Sequence, residues 1–349
     1  GAIAGPFGMG WIEHPDALTD MAHIGIIFLL FLLGLDMQPS ALFAVLKKAM
    51  LVALASSAIF FAAGFGLTLA FGFSEMDAII VGLAFMFSST IIGLKLLPTT
   101  VLHHKHVGEL MIGLLLIQDM LAIFTLILLG VLEGNSSMPV WKPFVALPLL
   151  AVGCYLIVKM VLLPLIMRFD RYHEYLFILA IGWCLTVAEG AKLVGLTHEI
   201  GAFIAGVTLA TSPIAQFIAI SLKPLRDFFL VMFFFTLGAG VNLGLLGDVW
   251  LPALVLAAAV LIIKPISFRY LLGNLSERPQ LAWDVGFRLG QISEFSLLVA
   301  FVALQSQLLS EQGSLLIQAT AIITFVVSSY IVVFSYPNPI AVSDKLRRD

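Results

Sequence analysis

Gly286 to Leu297 reads G-F-R-L-G-Q-I-S-E-F-S-L within an apolar run, and Met86 to Leu94, far upstream, reads M-F-S-S-T-I-I-G-L. Each stretch puts glycines and hydrogen-bonding side chains where an ordinary membrane helix carries aliphatic ones. Paired interruptions in the two halves of a chain point to two broken helices that meet near a bilayer midplane. Free carbonyls and hydroxyls at such breaks are hard oxygen ligands suited to an alkali cation. Either stretch alone is weak evidence, because Ser and Thr commonly bond back to their own helix. Their equivalent placement, each one span before the last of its half, is what carries the reading.

The surrounding composition agrees. The chain has 349 residues, 61% hydrophobic and 11% charged, with a mean hydropathy of +1.09, against about 25% charged residues in a soluble domain. In lipid every backbone polar group must be bonded within the fold, which leaves helices or closed barrels. The apolar runs are helical in length and do not alternate as short strands would, so the fold class is an all-α polytopic membrane protein in the lipid bilayer. The net charge of -3 and the lack of a basic patch away from the membrane flanks give no basis for nucleic-acid binding. Cys154 and Cys184 lie inside apolar runs and read as small core residues.

Segments able to cross a ~30 Å core, about 20 residues each, lie near 21–36, 49–72, 78–97, 108–132, 143–167, 173–190, 197–212, 224–242, 249–272, 281–305 and 314–335, eleven in all. They form one transmembrane transporter domain over residues 1–349, and the opening G-A-I-A-G-P suggests that helices preceding Gly1 are missing. Loop charge tests the count. One side receives Lys47, Lys48, Lys105, Arg168, Arg171, Lys223, Arg226, Arg269, Arg278, Lys345, Arg347 and Arg348, the other only Lys142 and Lys192. This division puts the C-terminus in the cytoplasm. Lys95 and Lys159 read as snorkelling side chains.

An ionisable group deep in a span is expensive and marks function by default. Asp119 sits mid-span in G-L-L-L-I-Q-D-M-L-A-I-F-T-L beside Gln118, with no basic residue within a helical turn. A lone carboxylate in a partly desolvated cavity lets a proton and a cation compete for it, the minimum machinery of exchange; the plainer alternative is a packing Asp held by a neighbouring helix. Lys264 reads either as a charge partner of Asp119 or as a counter-ion of Glu294. Arg288, followed by Gln291, is also unlikely lipid-facing. Glu199 suits a helix start, Glu189 an interface, and His103, His104 and His106 a solvated loop. Gly201 to Gly206, G-A-F-I-A-G, signals close helix packing.

Together these residues resemble the Kef-type potassium/proton antiporters of the cation/proton antiporter superfamily. The resemblance covers nearly the whole chain: G-P-F-G at Gly5, F-L-L-G-L-D at Phe31, S-S-T at Ser88, Q-D at Gln118, G-A-F-I-A-G at Gly201, F-F-F-T-L-G-A-G at Phe233, I-I-K at Ile262 and G-Q-I-S-E-F at Gly290. It implies a homodimer with an inverted-repeat fold and two discontinuous crossing helices, a mobile core domain and a dimerisation scaffold, in a bacterial inner membrane. It implies electroneutral K+/H+ exchange by alternating access, with Asp119 binding cation or proton. Gln118, Ser88, Ser89 and Thr90 help coordinate K+ or Na+ there, and Lys264, Glu294, Arg288 and Gln291 form a charged frame. No cofactor is implied beyond the transported ions.

Kef proteins continue into a cytoplasmic nucleotide-binding domain, which this chain does not contain; a separate regulatory domain or subunit is therefore an expected partner. G-A-G-V-N-L-G at Gly238 is no substitute, since it opens no βαβ unit. The acidic regulatory loop after Gly206 is also missing, so glutathione gating is not implied. The readings left open are a Na+/H+ antiporter, a ligand-gated cation channel and an organic-anion symporter. No enzymatic activity is expected: an intramembrane aspartyl protease needs two cooperating aspartates, and no second mid-span Asp is evident.

Overall fold

The computed structural model describes residues 5, 9–10, 16–36, 39–90, 93, 106–133, 142–168, 173–210, 212, 215–239, 244, 246–275 and 277–336. All regular structure among them is helical. In chain order the helices are α1 (Asp16–Asp36), α2 (Pro39–Ala70), α3 (Glu75–Phe85), α4 (His106–Glu133), α5 (Lys142–Ile157), α6 (Leu163–Arg168), α7 (His173–Leu193), α8 (His198–Ala210), α9 (Ala215–Ala239), α10 (Leu246–Asn274), α11 (Pro279–Arg288), α12 (Glu294–Gln305) and α13 (Glu311–Ser335). A π-helical turn, Val158–Leu162, joins α5 to α6.

Six of the eleven expected spans are continuous helical runs long and apolar enough to cross a membrane: Ala49–Ala70, Leu110–Gly130, Val145–Ile166, Tyr175–Leu193, Gly247–Asn274 and Glu311–Ser335. Their outer faces carry exposed apolar side chains such as Leu51, Leu149, Met160, Ile178, Ile262 and Tyr330, a surface that only lipid or another protein can cover. This is an integral membrane protein. Two more are covered by α1 and α9, of 21 and 25 residues, and the rest are shorter or broken. The one expected over 281–305 is two half-helices, α11 and α12, and the one over 78–97 stops as α3 at Phe85.

The chain divides into two compact units. The first comprises Gly1–Ala41 and Leu126–Leu243, and its core includes Phe31, Leu35, Trp183, Cys184, Ile200 and Ala205. Small residues let α1 and α8 touch backbone to backbone. A Cβ on Gly206 would run into the carbonyl oxygen of Phe31, and one on Gly34 into that of Phe203. The G-A-F-I-A-G run is therefore a packing face. Trp183 closes the same neighbourhood by donating its indole N–H to the Ala205 carbonyl at 3.2 Å. Overpacking such a crossing costs roughly 1–3 kcal/mol, so Gly206→Ala is expected to lower the thermal midpoint in detergent. Gly66→Ala, at a position with open space around it, is expected to leave that midpoint unchanged or higher. Cys154 and Cys184 are free and buried, as small core residues, and Lys159 is exposed in the π-helical turn. Glu189 meets His198 at 3.1 Å at an exposed helix end, and Glu199 lies in the first turn of α8.

The second unit comprises Leu42–Thr125 and Gly244–Asp349. Its core packs Phe60, Leu114, Phe268, Val285 and Leu289. The N-termini of α3 and α13 are tied by one carboxylate. Asp77 accepts from the Ser310 amide at 2.8 Å and from the hydroxyls of Ser310 and Ser74 at 3.0 and 2.8 Å. Orphan donors at two helix starts are thereby satisfied at once. The shared anchor fixes α3, which leads to the first break, relative to α13, which packs against the second. Lys95, His103 and His104 lie outside the described residues.

Candidate ion site

Every residue that the sequence singles out for ion chemistry falls in the second unit, at the two breaks. After Phe85 the chain leaves helical geometry through Met86 to Ser89. After Arg288 it does so again until Ser293, whose hydroxyl caps α12 by accepting from the Phe295 amide at 3.1 Å. Gly286 permits this second turn to lie on Pro265 of α10, because a Cβ there would stand 2.8 Å from the Pro265 Cα. The half-helices meet: Ser296 of α12 donates to the carbonyl of Ala84 in α3.

Asp119 comes to this point from α4. It is 2% exposed, and the Thr90 hydroxyl stands 3.3 Å from each of its carboxylate oxygens. Gln118, fully buried, accepts the Ser88 backbone N–H on Oε1 at 3.0 Å. That bond satisfies a donor which the helix break would otherwise orphan. It also turns the Gln118 NH2 elsewhere, and this group has no partner among the described residues. An NH2 is a donor only, so it suits a carboxylate or a water rather than a cation. Gln118 thus holds the first break in place more than it offers an oxygen.

Lys264 directs its hydrogen bonds to the two breaks. Its ammonium has three donors and spends them on the Phe87 carbonyl at 2.6 Å, the Gln291 carbonyl at 3.0 Å and the Ser88 hydroxyl at 3.1 Å. Neither Asp119 nor Glu294 is among its hydrogen-bond partners. The ammonium also lies 5.0 Å from the centroid of the Phe60 ring. Two helix breaks leave carbonyls unsatisfied, and a cation placed between them satisfies one from each. Lys264 is a staple across the two interruptions.

The breaks therefore offer fewer free carbonyls than their sequence suggests. Phe87 and Gln291 give theirs to Lys264. The Ser89 carbonyl accepts from the Gly93 amide at 3.1 Å and from Gln291 Nε2 at 3.4 Å. The hard ligands left to the first break are hydroxyls, Thr90 foremost, together with the Asp119 carboxylate. Arg288, buried, pairs with Asp284 one turn earlier in α11, Nε to Oδ1 at 2.7 Å, and stands over the Tyr336 ring at 5.8 Å.

Two residues in contact with the second break were not expected from the sequence. Thr324 of α13 accepts the Ile292 N–H at 3.3 Å, and Ser328 donates to Gln291 Oε1 at 2.8 Å. With Thr320 they recur every fourth residue along a buried face of α13, which is the spacing of one helix side. That periodicity is the signal by which they can be found.

Known proteins share this framework. Residues 1–335 match the family described as sodium/hydrogen exchanger, transmembrane. Escherichia coli (strain K12) YbaL, named for cation/proton antiport, is 28% identical over 341 residues, 94% of this chain and 61% of its own length. K(+) efflux antiporter 6 of Arabidopsis thaliana is 29% identical over 343 residues, 93% of this chain and 56% of its own. The chain thus spans somewhat over half the length of these curated relatives. Among solved structures, the sodium proton antiporter MjNhaP1 from Methanocaldococcus jannaschii at pH 8 superposes with a TM-score of 0.67 at 18% identity, covering 95% of this chain and 90% of that one. This likeness shows the fold: an antiporter fold whose discontinuous helices are α3 and the pair α11 and α12.

Proposed function

The chain belongs to the transmembrane sodium/hydrogen exchanger family, and from that premise we propose that it exchanges a monovalent cation for a proton at Asp119. The observation that carries the reading is the burial of this carboxylate beside a helix break. It is buried at the first of two helix breaks, the Thr90 hydroxyl meets it at 3.3 Å, and the ammonium nearest the breaks is committed to carbonyls. Such a group can hold one positive charge at a time, as a proton or as a metal cation coordinated with the Thr90 and Ser88 hydroxyls. Gln118, Gln291 and Lys264 hold the breaks in shape, and Glu294 sets the local field. One carboxylate exchanging one charge makes the cycle electroneutral.

Potassium is the proposed cation. Its support is the Gln118-Asp119 pair of the Kef-type resemblance and the name of the Arabidopsis relative. The protein works as a homodimer, and the loop charges put its C-terminus in the cytoplasm, in a bacterial inner membrane; a cytoplasmic domain or subunit regulates it. In proteoliposomes with a preset pH gradient, K+ is expected to dissipate the gradient, Na+ and Li+ less well, and choline not at all. Dissipation by Na+ alone would reassign the cation. K+ permeation that follows its Nernst potential without moving protons would replace the exchanger with a channel.

A further inference from the structure

We infer that Ser328, on α13, is a positioning residue for this site: its hydroxyl anchors the Gln291 amide against the Ser89 carbonyl, and through it the first break beside Thr90. The inference rests on the exchange reading above and deepens it.

A glutamine amide is nearly symmetric in shape, so only its hydrogen bonds decide which end points where. Gln291 is fully buried. On one side Ser328 Oγ lies 2.8 Å from Oε1, and on the other Nε2 lies 3.4 Å from the Ser89 carbonyl. Flipping the amide would set two acceptor oxygens against each other at Ser89. The Ser328 hydroxyl has one proton and two acceptors in reach, Gln291 Oε1 and the Phe287 carbonyl at 3.4 Å. The shorter contact is the one to Gln291, and it anchors the amide in the orientation that the acceptor-only Ser89 carbonyl selects.

Ser89 is the residue before Thr90, whose hydroxyl meets both oxygens of Asp119. A line of contacts therefore runs from α13 through the side chain of the second break to the backbone of the first. Lys264 bridges the same two breaks, but only through the Phe87 and Gln291 carbonyls and the Ser88 hydroxyl, and it leaves the Gln291 amide free to rotate. Ser328 is 1% exposed and touches neither Asp119 nor Thr90, so its influence acts through Gln291. Thr324 differs from it: its oxygen satisfies the Ile292 backbone N–H, a need that any such break has.

The test compares wild type, Ser328→Ala, Ser328→Thr, Gln291→Ala and the Ser328→Ala/Gln291→Ala double variant in proteoliposomes, reading half-saturating K+ and Na+ separately from maximal rate. Loss of one buried hydrogen bond, about 1 kcal/mol, corresponds to about a fivefold change in an equilibrium. Ser328→Ala is expected to raise the half-saturating cation concentration about fivefold with the maximal rate little changed, and Ser328→Thr, which keeps the hydroxyl, to restore it. In the Gln291→Ala background the Ser328 substitution is expected to add nothing. An unchanged half-saturation in Ser328→Ala overturns the assignment, as does a fall in maximal rate alone, the mark of a merely structural role. A full Ser328 effect in the Gln291→Ala background also overturns it. If wild type moves no protons with any cation, the exchange reading falls first and this one with it; exchange in wild type with an indifferent Ser328→Ala sinks only the role of Ser328.

Discussion

Cation-driven proton movement is expected to fall to the background of empty liposomes in Asp119→Asn, while the protein stays folded. Asparagine keeps the size of the side chain and an oxygen that the Thr90 hydroxyl can meet, so the contacts at 3.3 Å are largely preserved. It loses the two properties that exchange requires: it cannot carry a proton at any working pH, and it offers a cation a dipole in place of a charge. Burying an ionisable group away from water is costly, and nothing in the packing of α4 asks for a charge at this place. The same substitution is therefore expected to leave the thermal midpoint in detergent unchanged or higher, the pattern of a group retained for function at the expense of stability. A variant that transports like wild type would remove Asp119 from the mechanism. One that neither transports nor folds would mean that Asp119 is a packing residue, the plainer reading of a buried aspartate.

Parts of this arrangement are legible in the sequence because they alter hydropathy. Ser88-Ser89-Thr90 and Gly290-Gln291 interrupt runs that would otherwise be aliphatic, and α3 and α11 end within a few residues of those interruptions. Asp119 stands out for the same reason. The role of Lys264 is not legible in this way. Charge arithmetic looks for a carboxylate to oppose an ammonium, whereas its partners are carbonyls of Phe87 and Gln291, and every residue has a carbonyl. Only the fold decides which ones lose their helical partners. The hydroxyls of α13 are hidden for another reason. Thr320 bonds back to the Leu316 carbonyl at 2.7 Å, which is what most Ser and Thr in membrane helices do, and the periodicity of Thr320, Thr324 and Ser328 becomes informative once a break is known to lie against that face. Arg288 had a near partner throughout: Asp284 is four residues earlier, and an i,i+4 pair is a helix neighbour.

The second large effect is expected from Lys264→Met. Methionine fills a similar volume and can take the place of the stem beside Phe60, so the change removes the charge and its three hydrogen bonds with little cavity. What remains is a buried carbonyl at each break, Phe87 and Gln291, and the Ser88 hydroxyl, all without their donor. Leaving a buried acceptor unsatisfied costs about 1–3 kcal/mol each, and sparing the ammonium its own desolvation returns part of that. A net loss of about 2–4 kcal/mol is expected, seen as a lower thermal midpoint and as transport lost through disorder at the breaks. The double variant with Asp119→Asn separates the two accounts of this lysine. Were Lys264 the counter-ion of Asp119, neutralising both would relieve an unpaired charge, and the double variant would be more stable than the sum of the singles predicts. As a staple between carbonyls it has no such debt to Asp119, so the two effects are expected to add to within about 0.5 kcal/mol. A coupling of several times that size would return Lys264 to the carboxylate and leave the two breaks to be held by Gln118, Gln291 and the hydroxyls of α13 alone.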